Sequence, residues 1–427
     1  MPSKLFRNRN PKRPHLLRRG LGAEIADLRE DLLSEVTNER WTTQTAWVID
    51  PTNGSDTNLG TPSEPLKTMG EFNTRMQPTP IRVPTTLLCT GDVIDEPLML
   101  NGTRFPTGSS LTVSGTATTT ASGTITGVTT LQSNSTWQLT TTGVSWTSGD
   151  VGKRMQLSTG FLCWVQEVLG SNSIVVGPVV NSSTITTPAA PVDFVVQSLS
   201  RLLAPTLNIC SSAINNVVFV QDADITAGPI IINGGPIQFF GCRLASASGT
   251  SNVIVAGFNC AWRACFWSLQ LSSQTLQGAA VHTLAGHTMV GAGSSLFSLQ
   301  ARQVLPSVCS ISGISWSLSR GCIVANLGAM HFRNTANPIT IGAQAGWNNA
   351  NVPLSGSVGN SGVGITVRAG CGMTWTTQKP TVTGATDTLV GSTSRTYAQL
   401  PYVDLQLNAI PPSVQTLATS PAFITAE

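Results

Sequence analysis

A recurring pattern between residues 198 and 375 constrains the fold of this chain more than any other feature. Short runs of apolar, β-branched and aromatic residues alternate with glycine, asparagine, serine and proline, as in NVVFV at 216–220 and NVIVA at 252–256. Such runs indicate strands joined by turns, whereas helices would need a sustained period of 3.6 residues. The sequence therefore predicts an all-β body from Trp41 onward.

The repeated runs favour a solenoid, in which each coil buries the apolar face of the next. Cys242 and Cys265 lie 23 residues apart, a spacing that fits one coil. The period is irregular along the chain, so a β-sandwich or a jelly-roll array is the alternative architecture.

One segment is specific enough to compare with a known family. The sequence WVIDPTNGSDTNLGTP at 47–62, followed by PLKTM at 65–69, resembles the opening strand and loop of right-handed parallel β-helix proteins. Many of those proteins are bacteriophage spikes or extracellular proteins that act on carbohydrate. The resemblance implies that the first strand ends at Asp50, and that a turn at 53–56 leads into the first coil near Pro65.

A second β unit is expected to interrupt the helix. Residues 107–149 contain 23 serines and threonines among 43 residues and no charged side chain. This composition also fits a low-complexity linker. Three tryptophans, Trp137, Trp146 and Trp164, favour a small folded domain, because a linker has no core in which to bury them.

The positive charge is concentrated in residues 1–20, which form a basic arm. The other 407 residues carry 17 basic and 21 acidic side chains, a net charge of −4. A basic arm binds acidic surfaces by Coulomb attraction, so we expect this arm to attach the chain to a particle. Its basic residues are Lys4, Arg7, Arg9, Lys12, Arg13, Arg18 and Arg19.

An amphipathic helix is expected after the arm, since Leu21, Ile25, Leu28 and Leu32 follow helical spacing. The predicted organisation is a fold of the all-β class: a right-handed parallel β-helix with an inserted small β domain, preceded by a basic arm and a short helix. In chain order, the predicted units are the arm (1–20), the helix (21–40), the first part of the β-helix (41–106), the inserted β domain (107–196), the β-helix body (197–378) and a β or extended tail (379–427).

Charged residues make up 11% of the chain, against about 25% in an ordinary soluble protein. So few charges predict that much surface is covered in an assembly, and we expect a homotrimer. The nine cysteines include no CxxC pair at zinc spacing, so no metal or other cofactor is expected. Two interpretations of these cysteines stay open: they are buried as small apolar residues, or they form disulfides between chains. No secretory signal or membrane span is expected.

Carboxylates are scarce where a β-helix enzyme would need them. No aspartate or glutamate occurs between Asp224 and Asp387. An acid–base pair would have to come from Asp193, Asp222 and Asp224 or from the N-terminal region. Asp222 and Asp224 would share a face on a strand, but aspartate is also common at coil corners.

The remaining candidate side chains favour structure over chemistry. His282 and His287 are five residues apart, which places them on opposite faces of a strand. A row of tryptophans fits either a sugar-stacking surface or a buried core and trimer interface. That row comprises Trp262, Trp267, Trp316, Trp347 and Trp375.

These observations predict a structural protein of a tailed-phage virion: a spike, fibre or decoration subunit that is not an enzyme. Its partners would be other virion proteins of the capsid, neck or tail, with host surface glycan as a further ligand and no role for a membrane or nucleic acid. Two alternatives stay open. One is a tailspike depolymerase that cleaves host polysaccharide, and the other is an internal protein whose arm contacts packaged DNA.

Overall fold

A computed structural model describes the parts of the chain that follow. They are residues 44–76, 80–132, 136–178, 188, 190–210, 216–226, 229–245, 252–256, 260–270, 273–286, 288–307, 309–318, 322–326, 330–333, 339–341, 346–349, 354–356, 363–367, 372–375, 387–391 and 423–426. The basic arm and the helix expected at 21–40 lie outside these residues.

Strands dominate the described residues. One α-helix, α1, spans Met69–Met76, and a 3-10 turn spans Ser148–Asp150. The strands are β1 (Ala46–Ile49), β2 (Pro84–Cys89), β3 (Met99–Arg104), β4 (Ser110–Gly115), β5 (Ala117–Gln132), β6 (Thr136–Thr142), β7 (Arg154–Leu157), β8 (Leu162–Gly170), β9 (Ser173–Pro178), β10 (Val192–Leu203), β11 (Thr206–Cys210), β12 (Val218–Gln221), β13 (Ala223–Thr226), β14 (Ile230–Asn233), β15 (Ile237–Phe240), β16 (Arg243–Ala245), β17 (Asn252–Ala256), β18 (Cys260–Arg263), β19 (Phe266–Gln270), β20 (Ser273–Ala285), β21 (Thr288–Ser307), β22 (Cys309–Leu318), β23 (Ile323–Asn326), β24 (Met330–Arg333), β25 (Ile339–Ile341), β26 (Gly346–Asn349), β27 (Leu354–Gly356), β28 (Val363–Val367), β29 (Gly372–Trp375), β30 (Asp387–Gly391) and β31 (Phe423–Ala426).

The opening segment folds as the resemblance implied. Strand β1 ends before Asp50, whose carboxylate accepts hydrogen bonds from the backbone amides of Thr52 and Asn53, both at 2.9 Å. Gly54 follows, and a Cβ at that position would lie 2.1 Å from the carbonyl oxygen of Leu66. The turn therefore needs glycine, and it directs the chain into the first coil.

The body is a parallel β-helix, because its strands form three ladders that each add one strand per coil. One ladder runs through β1, β2, β4, β12, β15 and β18. A second runs through β10, β13, β16 and β19, and a third through β3, β11, β14 and β17. The predicted fold class is confirmed, and parallel ladders exclude the sandwich and jelly-roll alternatives. β16 and β19 also place Cys242 one coil from Cys265, as predicted.

Apolar side chains from all three ladders fill the core of the coils. Aromatic rings stack through successive coils: Phe239 lies flat on Trp262 with ring centroids 4.3 Å apart, and Trp267, Phe297 and Trp316 continue the column. Trp262, Trp267 and Trp316 are fully buried, so these three form core and not a sugar-stacking surface. The seven cysteines whose side chains the structure describes are buried.

Six antiparallel strands between the first coils and the body form a closed barrel. The pairing order is β5, β10, β7, β8, β9, β6 and back to β5. Closure leaves the barrel without a free strand edge. Its core holds Trp137, Trp146 and Phe194 among aliphatic side chains, which explains the tryptophans in this Ser/Thr-rich segment.

The barrel is fixed to the β-helix in two ways. Strand β10 belongs to both units: residues Val192–Leu199 pair with β5 in the barrel, and Ser200–Leu203 pair with β13 in the helix. Trp164 of the barrel is also buried beside Phe266 and donates from Nε1 to the carbonyl of Ala264 at 3.0 Å. This junction positions the cleft described below. The described helices include none with the length and apolar character needed to cross a membrane.

Candidate functional site

A cleft of about 350 Å³ lies where the barrel meets the β-helix. The barrel contributes the loop at 149–153. The β-helix contributes the outer face of the ladder that runs through β10, β13, β16 and β19. Gly152 lets the two units approach closely, because a Cβ there would lie 2.6 Å from Nε of Arg243. Four charged side chains of the helix line the cleft: Asp92, Arg201, Asp224 and Arg243.

These four side chains form a row of alternating charge, hereafter the charge ladder. Register places Arg201 beside Asp224 and Asp224 beside Arg243. Asp92 joins the row because the next residue, Val93, bridges to Leu202. Side chains alternate between the faces of a strand. The neighbours at 93, 202, 225 and 244 are buried in the core, so the charged residues point outward into the cleft.

The first pair of the ladder is solvent-accessible and firmly bonded. Arg201 donates to Asp92 from its backbone amide at 3.0 Å, from Nε at 2.9 Å and from Nη2 at 2.7 Å. Both side chains remain about half exposed. The hydrogen bonds from the Arg201 guanidinium hold the pKa of the Asp92 carboxyl below its ordinary value. Asp92 is therefore an ionised carboxylate over most of the pH range.

Asp224 has the opposite character. It is 9% exposed, and burial raises its pKa above the ordinary value even though Arg243 donates to Oδ2 at 2.8 Å. Its Oδ1 atom is buried and accepts no hydrogen bond from the described residues. An acceptor without a partner in a dry site favours the protonated carboxyl. The pKa values of the two aspartates in this cleft are thus shifted in opposite directions.

The predicted Asp222 and Asp224 pair is not a pair on one strand face. Asp222 lies at the corner between β12 and β13 with φ of 53°, a left-handed conformation that aspartate tolerates better than most residues. Its carboxylate forms an ion pair with the buried Arg154 of the barrel. The strand interpretation is therefore wrong and the corner interpretation is correct. Asp222 ties the barrel to the helix, and only Asp224 lines the cleft.

The barrel side of the cleft presents one cation. Lys153 lines the cleft and forms an ion pair with Asp150 at 2.7 Å. Asp150 in turn accepts from the backbone amide and the hydroxyl of Thr147 at 2.7 and 2.9 Å. This capping arrangement fixes the 3-10 turn next to Lys153, which lines the same cleft as the charge ladder.

Asp92 and Asp224 have the features of an acid and base pair. They lie two strand spacings apart along the ladder, about 10 Å between Cα atoms. Inverting glycosidases separate their two carboxyl groups by about 6.5–9.5 Å, so that a water molecule fits beside the sugar. Such chemistry needs one carboxyl group with a raised pKa as the proton donor and one ionised carboxylate as the proton acceptor.

Other sequence candidates lie away from the cleft. Asp193 is exposed on the outer face of the barrel, where Thr124 Oγ1 donates to it at 2.7 Å. His282 is fully buried, and its Nδ1 accepts from Trp262 Nε1 at 3.1 Å. His287, the side chains of Trp347 and Trp375, and all seven basic residues of the arm fall outside the described structure. Among the described residues, no group of three or more metal-ligating side chains is found.

Sequence reasoning missed Asp92 and Arg201 as site residues, although it pointed to the N-terminal region. A signal was present. Each member of the charge ladder directly precedes an inward apolar residue, as in Asp92–Val93, Arg201–Leu202 and Asp224–Ile225. When a charged residue precedes a core residue at the start of successive coils, the charged side chains are predicted to form one row on the outer surface.

No protein-family model matches this chain, and no curated protein matches it. Among solved structures it is similar to the GH136 lacto-N-biosidase of Eubacterium ramulus, with 9% identity over 95% of this chain and 70% of that one and a TM-score of 0.31. It is also similar to the Gp54 tailspike of Acinetobacter baumannii bacteriophage AP22, which was solved with A. baumannii capsular saccharide. That match has 11% identity over 74% and 73% of the two chains and a TM-score of 0.21.

These comparisons require one correction. The prediction that the chain is not an enzyme is wrong as it was drawn, because a glycosidase is among the structures that it resembles. The prediction relied on the absence of acidic residues between Asp224 and Asp387. It left a carboxylate from the N-terminal region open, and the structure places Asp92 of the first coils in the same row as Asp224, two strand spacings away.

Proposed function

We propose that this chain is a glycan-cleaving subunit of a tailed-phage virion, which binds host surface polysaccharide in the cleft between barrel and β-helix. The observation that carries the proposal is the relation between Asp92 and Asp224. Both line one cleft, with a lowered pKa for the first and a raised pKa for the second. Titratable groups whose environments drive their pKa values apart mark an acid and base assignment.

The proposed reaction is hydrolysis with inversion. Asp224 donates its proton to the glycosidic oxygen as the bond from that oxygen to the anomeric carbon breaks. Asp92 accepts a proton from water, whose oxygen bonds to the anomeric carbon from the opposite face. One water is consumed, and the products are a free hydroxyl group and a new reducing end.

The cations of the cleft would orient the substrate. Arg201 is about half exposed while it bonds to Asp92, so guanidinium hydrogens remain for sugar hydroxyl or carboxylate groups. Lys153 faces the same space from the barrel. Arginine and lysine donate strong hydrogen bonds to anionic oxygens. A polysaccharide with an anionic sugar at the cleaved linkage is therefore the substrate class that best matches the cleft.

Attachment to the particle is the second part of the proposal. The seven basic side chains in residues 1–20 contrast with a remainder of net charge −4. Coulomb attraction would bind the arm to an acidic surface of a capsid, neck or tail protein, and trimerisation would cover much of the charge-poor body. In this arrangement the arm holds the protein on the virion and the cleft acts on the host surface.

The test begins with the full chain on an array of purified bacterial capsular and lipopolysaccharide O-chain polysaccharides. For each polysaccharide that binds, release of reducing ends is then measured. Asp224→Asn and Asp92→Asn should each lower the rate by about 100-fold or more, the usual range for an acid or base. Glu64→Gln is the matched control, because Glu64 is exposed on an early loop away from the cleft.

Cleavage by Asp224→Asn at the rate of the Glu64→Gln control would overturn the assignment of Asp224. Binding without any release of reducing ends would contradict hydrolysis and leave a glycan-binding attachment protein. Circular dichroism of each variant shows whether the β-helix is intact, so that loss of activity is not confused with unfolding.

A further inference from the structure

A second cavity lies on the outer face of the barrel, hereafter the barrel groove. It has a volume of about 540 Å³ and is bounded by β5, β7 and β10. Its polar lining residues are Ser122, Thr124, Gln156, Ser158 and Asp193. Neighbouring strands hold these side chains at fixed positions, since Thr124 is in register with Asp193, and Ser122 and Gln156 both flank Val195.

The chemistry of the barrel groove suits a polyhydroxyl ligand. Hydroxyl and amide side chains act both as donors and as acceptors, and the lining residues include neither lysine nor arginine. A phosphate backbone binds through cations, so nucleic acid does not fit this surface. Sugar hydroxyl groups, which also donate and accept, match it well.

Two hydrogen-bonded glutamines connect the lining of the barrel groove to the lining of the cleft. Gln197 lines the cleft, and its Nε2 donates to Oε1 of Gln156 at 2.9 Å, while Gln156 lines the groove. Both cavities also follow one strand. Asp193, which lines the groove, and Arg201, which lines the cleft, are eight residues apart on β10. That separation is about 26 Å along an extended strand.

We infer that the barrel groove and the cleft are two ends of one extended binding site for a linear polysaccharide. This inference rests on the proposed function, because the cleft is the end at which the bond is broken. Several sugars of one chain would lie along β10, with the segment beyond the scissile bond held over the barrel. Affinity should then rise with oligosaccharide length until the chain reaches the groove, since a second contact on the same ligand adds to the first.

The test uses a size-graded series of oligosaccharides from partial acid hydrolysis of a polysaccharide that the full chain binds. Ser122→Trp fills the groove from an exposed position on β5. Thr129→Trp is the matched control, an exposed position on the same strand that does not line the groove. With long oligosaccharides, Ser122→Trp should raise Kd by about tenfold, equivalent to about 1.4 kcal/mol. With the shortest ligands, both variants should bind like the unmodified chain.

Equal length dependence in Ser122→Trp and Thr129→Trp would overturn the extended site while leaving cleavage at the cleft intact. A wild-type chain that binds no polysaccharide would instead overturn the proposed function and this inference together. The two failures are therefore distinguished by the behaviour of the unmodified chain.

Discussion

Asp224 lies beside Arg201 in the parallel register of β13 and β10, yet its carboxylate accepts a hydrogen bond from Arg243, one coil further on. Arg201 bonds instead to Asp92 on its other side. One arginine thus separates two carboxyl groups and stabilises the negative charge of only one of them directly. This asymmetry in the charge ladder underlies the first two predictions.

Cleavage should show a bell-shaped dependence on pH with its maximum at acidic pH. The acid limb would reflect protonation of Asp92, whose pKa lies below the ordinary value of 3.8. The alkaline limb would reflect loss of the proton from Asp224, whose pKa lies above 3.8. Initial rates of reducing-end release across pH 3 to 9 test this. A maximum above pH 8 would contradict the assignment.

Arg201→Gln should shift the acid limb of that profile to higher pH. Without the guanidinium, the pKa of Asp92 returns toward its ordinary value. The change in folding stability should be below about 1 kcal/mol, because the pair is about half exposed and screened by solvent. Arg82→Gln, an exposed arginine outside the cleft, is the control. A profile unchanged from wild type would show that Arg201 does not set the charge of Asp92.

Folding stability should fall on acidification because of His282. Burial lowers the pKa of this imidazole from 6.5 to about 4. The unfolded chain therefore binds a proton that the folded chain excludes once the pH falls below 6.5. This difference amounts to about 3 kcal/mol when the pH reaches 4.

His282→Gln keeps an acceptor for Trp262 Nε1 but does not titrate, so its stability should depend less on pH between 6.5 and 4. Urea denaturation of both proteins at pH 7 and pH 4.5 measures the difference. An identical loss of stability in both proteins would assign the acid sensitivity to other groups.

Trp164 should hold the barrel against the β-helix. Trp164→Ala removes a fully buried ring, and truncations of this kind cost about 3–5 kcal/mol. Trp164→Phe keeps most of the packing with Phe266 and loses the hydrogen bond to Ala264, which costs about 1 kcal/mol. Thermal denaturation and limited proteolysis should rank the alanine variant below the phenylalanine variant. Equal stability of the two would place the attachment elsewhere.

Neutralising the basic arm should abolish incorporation into particles without unfolding the protein. The seven arginines and lysines of residues 1–20 are replaced by glutamine, and co-sedimentation with assembled particles is measured. Lys67→Gln with Arg82→Gln, two exposed basic residues of the body, is the control for charge. Incorporation of the arm variant at the wild-type level would show that the arm does not attach the protein to particles.

The fold was more predictable than the site. Runs such as NVIVA at 252–256 and the turn after Asp50 encode strands and corners locally, since β propensity and turn chemistry act over a few residues. The contact between Asp92 and Arg201 joins residues 109 positions apart, and the barrel occupies most of the chain between them. Closure of the barrel returns the chain to the β-helix and so sets which coil packs on the first coils. Local sequence therefore marks each charged residue of the row as outward-facing, but it does not show which of them pair.

Strand β10 has a mechanical consequence. Its first eight residues complete the barrel and its last four lie in the second ladder, so both units share one continuous backbone. Pulling on a polysaccharide held over the barrel would load that shared backbone in tension and pass the force into the stacked coils. Under the proposed function, movement of the attached particle would draw a bound sugar chain along β10 toward Asp92 and Asp224.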